Sequence, residues 1–200
     1  MLIVPELNKV IILVPRTGTN YLKEAVRKRW PNSFLLYRHM ERDGVPYGYE
    51  RYETVGVFRE PVDRLYSLFK YLRDYDHDQC HDWKRLYMRR LTDTTSNGFN
   101  QWLVSNELPI ATPYGTDGTY HVQSSVKHII PENKKSQWCY LRPDYGTTVI
   151  PYSEIHKLLV MLDIPDERTH VTEPSTPPPL TAEGYEIINT YHHWDTTQKG

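Results

Sequence analysis

The chain has 200 residues, 38% of them hydrophobic, with 16 Tyr, 5 Trp and a formal net charge of −1. That length holds one α/β domain with a sizeable core and leaves no room for a second full domain. The near-neutral charge argues against a long nucleic-acid footprint, and no apolar run approaches membrane-spanning length. Cys80 and Cys139 are the only cysteines, too few for a disulfide framework and suited to a reducing compartment, so a soluble cytoplasmic protein is expected. The charge is uneven: residues 1–73 hold 13 Lys and Arg against 8 Asp and Glu, whereas residues 74–200 hold 11 against 17. Positive potential is therefore concentrated in the first part of the chain, where an anionic ligand would be held.

Lys9–Val14 is a continuous, β-branched run, the pattern of a strand buried on both faces. It runs into Pro15-Arg16-Thr17-Gly18-Thr19-Asn20, with Asn20 able to cap a helix carrying Leu22, Ala25, Val26 and Trp30, which Pro31 stops. Ser33–Tyr37 reads as a second strand ending at Arg38-His39-Met40, and Thr54–Phe58 as a third ending at Arg59-Glu60-Pro61. Pro61 suits a first helical position, and Val62, Leu65, Phe69 and Leu72 form an apolar stripe, leaving Arg64, Ser67 and Tyr71 off it. Ser67 is nearly two turns into that helix, where a serine has no propensity advantage and is either solvated or partnered. His77, Cys80 and His81 mimic metal ligands in spacing, but no second ligand pair accompanies them and a solvated acidic segment is the default; no metal is expected. Further on come a short helix with Phe99, Trp102 and Leu103, a Gly/Thr/Tyr-rich loop over 112–120, a His121-x-Gln123 segment and a strand at Thr147–Pro151. A helix with Ile155, Leu158, Leu159 and Leu162 follows, then a Pro-rich linker over 172–179, and a last helix capped by Thr181 on which His192 and His193 face different ways. Strands alternating with helices over residues 1–200 predict a single three-layer α/β/α domain with a mostly parallel central sheet.

A strand, a tight hydroxyl-rich turn and a helix aim backbone N–H groups, hydroxyls and a cation at one point, where an anion can sit. The turn lacks the first glycine and the Gly-Lys-Ser/Thr ending of a Walker A loop, so a standard nucleoside triphosphatase is a poor fit. A shorter loop with its cation ahead of the glycine suits a single 5′-phosphate.

Pro15-Arg16-Thr17-Gly18-Thr19, followed by Arg59-Glu60-Pro61-Val62-Asp63-Arg64-Leu65-Tyr66-Ser67, resembles the paired signature of sulfotransferases that use 3′-phosphoadenosine 5′-phosphosulfate (PAPS). The placing of Tyr37-Arg38-His39 ahead of the Arg59 strand resembles the Golgi-type, heparan sulfate 2-O-sulfotransferase-like branch. The resemblance implies a P-loop-like nucleotide-binding fold, PAPS as co-substrate, 3′-phosphoadenosine 5′-phosphate (PAP) as product, and no metal. It implies that Arg16, Thr17, Gly18, Thr19 and Asn20 cradle the 5′-phosphosulfate, that Arg59 and Ser67 hold the 3′-phosphate, and that Arg16 stabilises the leaving phosphate. Relatives carry Lys where Arg16 stands, and arginine cannot realistically give up its proton, so its part would be electrostatic. Glu60 replaces the usual Asp, which weakens a helix cap and leaves the anion residues intact.

The acceptor hydroxyl needs a base. His39 is the candidate, because an unperturbed imidazole titrates near neutral pH; Glu41 and Glu53 are the fallbacks. Arg64 either touches the nucleotide or pairs with Asp63 or Glu60 at the surface, the structural role being preferred. Trp102, His121 and Gln123 line an acceptor cleft or, for Trp102 equally, pack in the core. The reaction expected is sulfuryl transfer to a glycan or small-molecule hydroxyl, without nucleic-acid or membrane partners. The rivals are a nucleotide or small-molecule kinase with an atypical phosphate loop and a non-catalytic nucleotide-binding module.

Overall fold

The computed structural model describes residues 1–36, 39–74, 96–105, 132–166 and 176–197. Five strands, β1 (Leu2–Val4), β2 (Lys9–Ile12), β3 (Phe34–Leu35), β4 (Glu53–Phe58) and β5 (Thr148–Pro151), pair in the order β3-β1-β2-β4-β5. Seven α-helices accompany them among the described residues: α1 (Thr19–Arg29), α2 (Pro61–Asp74), α3 (Ser96–Val104), α4 (Gln137–Leu141), α5 (Ile155–Met161), α6 (Ala182–Tyr191) and α7 (His193–Thr197). The chain divides into two compact units. Of the described residues, 1–36, 39–59 and 137–166 belong to the first, and 60–74, 96–105, 132–136 and 176–197 to the second.

The first unit holds the sheet. β2, β4 and β5 run parallel, with Ile12 opposite Gly56 and Phe58 opposite Pro151. β1 runs antiparallel to both β2 and β3, so the sheet is mixed rather than mostly parallel in its pairings. The cause is β1, a strand of three residues that no periodicity window detects. A single helical turn over Pro5–Leu7 and a left-handed Asn8 (φ 50°) reverse the chain from β1 into β2, a conformation asparagine tolerates well.

Alternate residues of the strands face opposite sides of the sheet. Leu2, Val4, Ile11, Leu13, Val55, Val57 and Ile150 form one core with Leu22 and Val26 of α1 and with Ile155, Leu158 and Leu159 of α5. The other face meets α4 at Gly56, where an added Cβ would lie 2.2 Å from Leu141 Cδ2. Glycine is required there because Leu141 occupies the volume a side chain would need. The unit is thus a mixed α/β structure built on an open five-stranded sheet.

The second unit is helical. Leu65, Leu68 and Phe69 of α2 pack with Phe99, Trp102 and Leu103 of α3 and with Ile188 of α6. Trp102 is fully buried here, which settles its role as core packing. Thr181 caps α6, its hydroxyl accepting from Gly184 N–H at 3.1 Å, and the Asn100 side chain ties α3 to this cap by accepting from Thr181 N–H at 2.9 Å. The buried stripe of α2 is Pro61, Arg64, Leu65, Leu68 and Phe69, the i, i+3, i+4, i+7, i+8 pattern. It is rotated from the expected stripe so that Arg64 lies inside it.

Arg64 is 1% exposed and donates Nη2–H to the Lys135 carbonyl at 2.8 Å. Its charge acts on Asp195. Asp195 accepts from Ser136 Oγ at 2.7 Å and faces His192 Nδ1 at 3.3 Å, while His192 Nε2 donates to the Asn133 carbonyl at 2.9 Å. Asn133 Nδ2 in turn faces the Trp102, Leu103 and Ser105 carbonyls at 3.0, 2.8 and 2.9 Å, satisfying orphan groups at the end of α3. His192 is buried and His193 exposed, as expected of adjacent residues, but the helix breaks between them.

Burial pushes the Asp195 carboxyl up, but the hydrogen bonds from His192 and Ser136 and the charges of Arg64 and His192 outweigh it and hold the group below the ordinary aspartate value. A depressed native pKa contributes stability that is complete above the unfolded value, about 4, and is lost as pH falls through the native one. Asp195→Asn therefore costs about 3–5 kcal/mol at pH 7 by leaving the buried Arg64 guanidinium without its counter-charge. The gap between parent and variant narrows below pH ~4, as urea unfolding at pH 7 and pH 3 will show.

Candidate anion-binding site

β2 and β4 are parallel, so the residues that follow them emerge at one edge of the sheet. From β2 the chain turns through α1 toward β3 on one side; after β4 it continues to β5 on the other. The carboxyl ends of β2 and β4 thus flank the point where the connections diverge, the usual ligand crevice of an open α/β sheet.

The loop at the end of β2 has an unusual backbone. Arg16 has φ 67° and Gly18 φ 78°, while Thr17 between them and Thr19, the first residue of α1, are not in the positive-φ region. The sign of φ therefore alternates from Arg16 to Thr19. Such alternation turns successive N–H groups into one concavity, a nest for an anion, at the head of an 11-residue helix. For arginine a left-handed conformation is strained. Gly18, not Asn20, occupies the N-cap, and Asn20 is exposed in the first turn. Thr17 is buried and its hydroxyl donates to the Val14 carbonyl at 2.9 Å. That proton is committed to the loop, so of the two donors expected of Thr17 the hydroxyl is engaged within the protein. Thr19 is largely buried.

Arg59 follows β4 at the same edge. Its Nη1 donates to the Arg16 carbonyl at 3.2 Å, and its guanidinium lies 5.3 Å from the centre of the Tyr152 ring, which follows β5. The backbone of Arg59 pairs with a side chain: its N–H donates to Gln137 Oε1 at 2.9 Å and its carbonyl accepts from Gln137 Nε2 at 2.6 Å. Tyr152 also bounds the loop, since a Cβ on Gly18 would lie 3.2 Å from its Cε2.

His39 is buried, and its Nδ1 lies 2.7 Å from the Leu13 carbonyl, just ahead of the loop. A carbonyl oxygen only accepts, so the neutral ring carries its proton on Nδ1 and Nε2 is the basic nitrogen. Glu41 is buried two residues further on. Glu53 does not belong here: it starts β4, pairs with Lys9 and stands at the opposite edge of the sheet, about 20 Å of strand from Arg59.

The geometry thus brings Arg16–Thr19, His39 and Arg59 to one sheet edge. Ser67 lies half-buried on α2 of the second unit, and its role rests on the resemblance alone. His77, Cys80, His81, His121, Gln123 and the 112–120 loop lie outside the described residues. Among the described residues no group of His, Cys, Asp and Glu is arranged to hold a metal, and no helix is long and apolar enough to cross a membrane. Gln137 and Tyr152, which also touch Arg59, were not among the expected site residues. Gln137 carries no local signal, being distant in sequence from both motifs; Tyr152 had one, its place directly after a proline-ended strand.

No protein-family model matches the chain, nor does any curated protein sequence or any solved structure.

The strain at Arg16 is measurable. Arg16→Gly, which adopts a positive φ freely, should be more stable than Arg16→Ala by about 1 kcal/mol in urea unfolding.

Proposed function

We propose that this chain is a PAPS-dependent sulfotransferase that moves a sulfuryl group to an acceptor hydroxyl, most naturally that of a carbohydrate. The observation that carries this reading is the alternating-φ loop of Arg16–Thr19 with the Arg59 guanidinium against its carbonyl. The Arg59 guanidinium and a set of backbone N–H groups share the carboxyl edge of parallel strands, a setting suited to a phosphate-bearing nucleotide.

The donor supplies an activated sulfuryl group, whose sulfur gains a bond to the acceptor oxygen as its bond to the 5′-phosphate oxygen breaks. The loop N–H groups and Arg16 hold the negative charge that collects on that phosphate, a task of positioning and electrostatics as in phosphoryl transfer. Arg59 adds a second cation at the same edge. The acceptor proton goes to His39 Nε2, the basic nitrogen in the tautomer that the Leu13 carbonyl selects. The hydrogen bond at Nδ1 also fixes the ring plane, so the base is oriented before the acceptor arrives.

Calorimetry with PAP, AMP and ATP tests the cofactor. The parent should prefer PAP to both, and Arg59→Ala should weaken PAP about 10- to 100-fold, the value of a charge-assisted hydrogen bond. Preference for ATP with Mg²⁺ would favour the kinase reading and defeat this one. His39→Gln should leave PAP affinity within about twofold and lower transfer from PAPS by ~10²–10⁴. Transfer unchanged by this substitution would remove His39 from the chemistry.

A further inference from the structure

We infer that Gln137 and Tyr152 are positioning residues of the anion site, acting through Arg59; the inference rests on the sulfotransferase reading and names residues outside both motifs. The β4–β5 ladder ends at Phe58 opposite Pro151, and proline has no N–H with which to extend it. Arg59 is the next residue, and its backbone would leave the sheet unpaired. Gln137 replaces the missing strand: its amide oxygen and nitrogen both engage Arg59, at 2.9 and 2.6 Å, as a neighbouring peptide group would. Gln137 is fully buried, at the head of α4, the helix whose Leu141 fills the place above Gly56 of β4. The amide is thus anchored to the strand it extends.

The far end of Arg59 is held by different means. Tyr152 presents its ring to the guanidinium at 5.3 Å, a favourable cation–π distance, and the same ring lies against Gly18. One aromatic plane therefore supports both the arginine and the glycine of the loop. Of the guanidinium's N–H donors, one is used on the Arg16 carbonyl; the rest have no partner among the described residues. Backbone pairing at one end and ring support at the other leave the side chain few conformations, with donors still available to an anion. Such preorganisation raises affinity by removing an ordering cost that binding would otherwise carry.

A positioning role and a merely structural one differ in a double-mutant cycle. PAP affinity is measured by calorimetry for the parent, Arg59→Ala, Gln137→Met, Tyr152→Leu, Tyr152→Phe, and Gln137→Met and Tyr152→Leu each combined with Arg59→Ala. Gln137→Met and Tyr152→Leu should each weaken PAP about tenfold in the parent and by less than about twofold once Arg59 is gone. Tyr152→Phe, which keeps the ring, should retain parent affinity. If Gln137→Met does not fold, Gln137→Glu replaces it, keeping the acceptor for Arg59 N–H while setting a carboxylate against the Arg59 carbonyl. Equal losses with and without Arg59, or no loss in either background, overturn the inference while leaving the cofactor assignment standing. A parent that does not bind PAP overturns both.

Discussion

The parallel pairing of β2 with β4 is the constraint on which the rest of the first unit depends. It sets Ile12 opposite Gly56 and so brings the ends of both strands to one edge. Everything proposed for function follows from that register. A slip of one residue would turn Val55 and Val57 away from the α1/α5 core and present them to Leu141. The fit between Gly56 and Leu141 guards against it, since only one position of β4 can lie under that leucine. Core packing and site geometry are therefore the same fact seen from two faces of the sheet.

The second unit solves a different problem. It places Arg64 and His192 in its interior beside the Asp195 carboxylate and a chain of neutral donors and acceptors. Buried ion clusters of this kind add little net stability over apolar packing, but removing a single member is costly. They select one arrangement of the helices around them. Asn133 shows how: a single side-chain nitrogen faces three carbonyls at the end of α3, while its own backbone carbonyl receives His192.

Much of this was legible in the sequence, for a physical reason. β2 and its loop, β4 with Pro61 starting the next helix, α3, and the Thr181 cap are each coded within a few consecutive residues. Three kinds of feature were not. β1 is too short to carry a pattern. Arg64 sits on the buried stripe of α2, which a reading by residue polarity rotates away from its true position because it places arginine outside. Gln137 reaches Arg59 only through a contact with a residue 78 positions earlier, and no local pattern encodes such a partner. The fate of the Thr17 hydroxyl was hidden likewise. A threonine in a phosphate-loop-like turn reads as a ligand donor, and only the Val14 carbonyl reveals that its proton is engaged.

The hydrogen bond between His39 Nδ1 and the Leu13 carbonyl has a kinetic meaning beyond orientation. A ring tethered at one nitrogen cannot flip without breaking the tether, so a proton accepted on Nε2 has to leave from Nε2. In the proposed reaction, the face of the imidazole that meets the acceptor is also the face that must be discharged. In that scheme a sulfated product would cover that face until it departs. Product release would then precede deprotonation of the base, and each turnover would end with His39 resetting against solvent rather than against the next substrate.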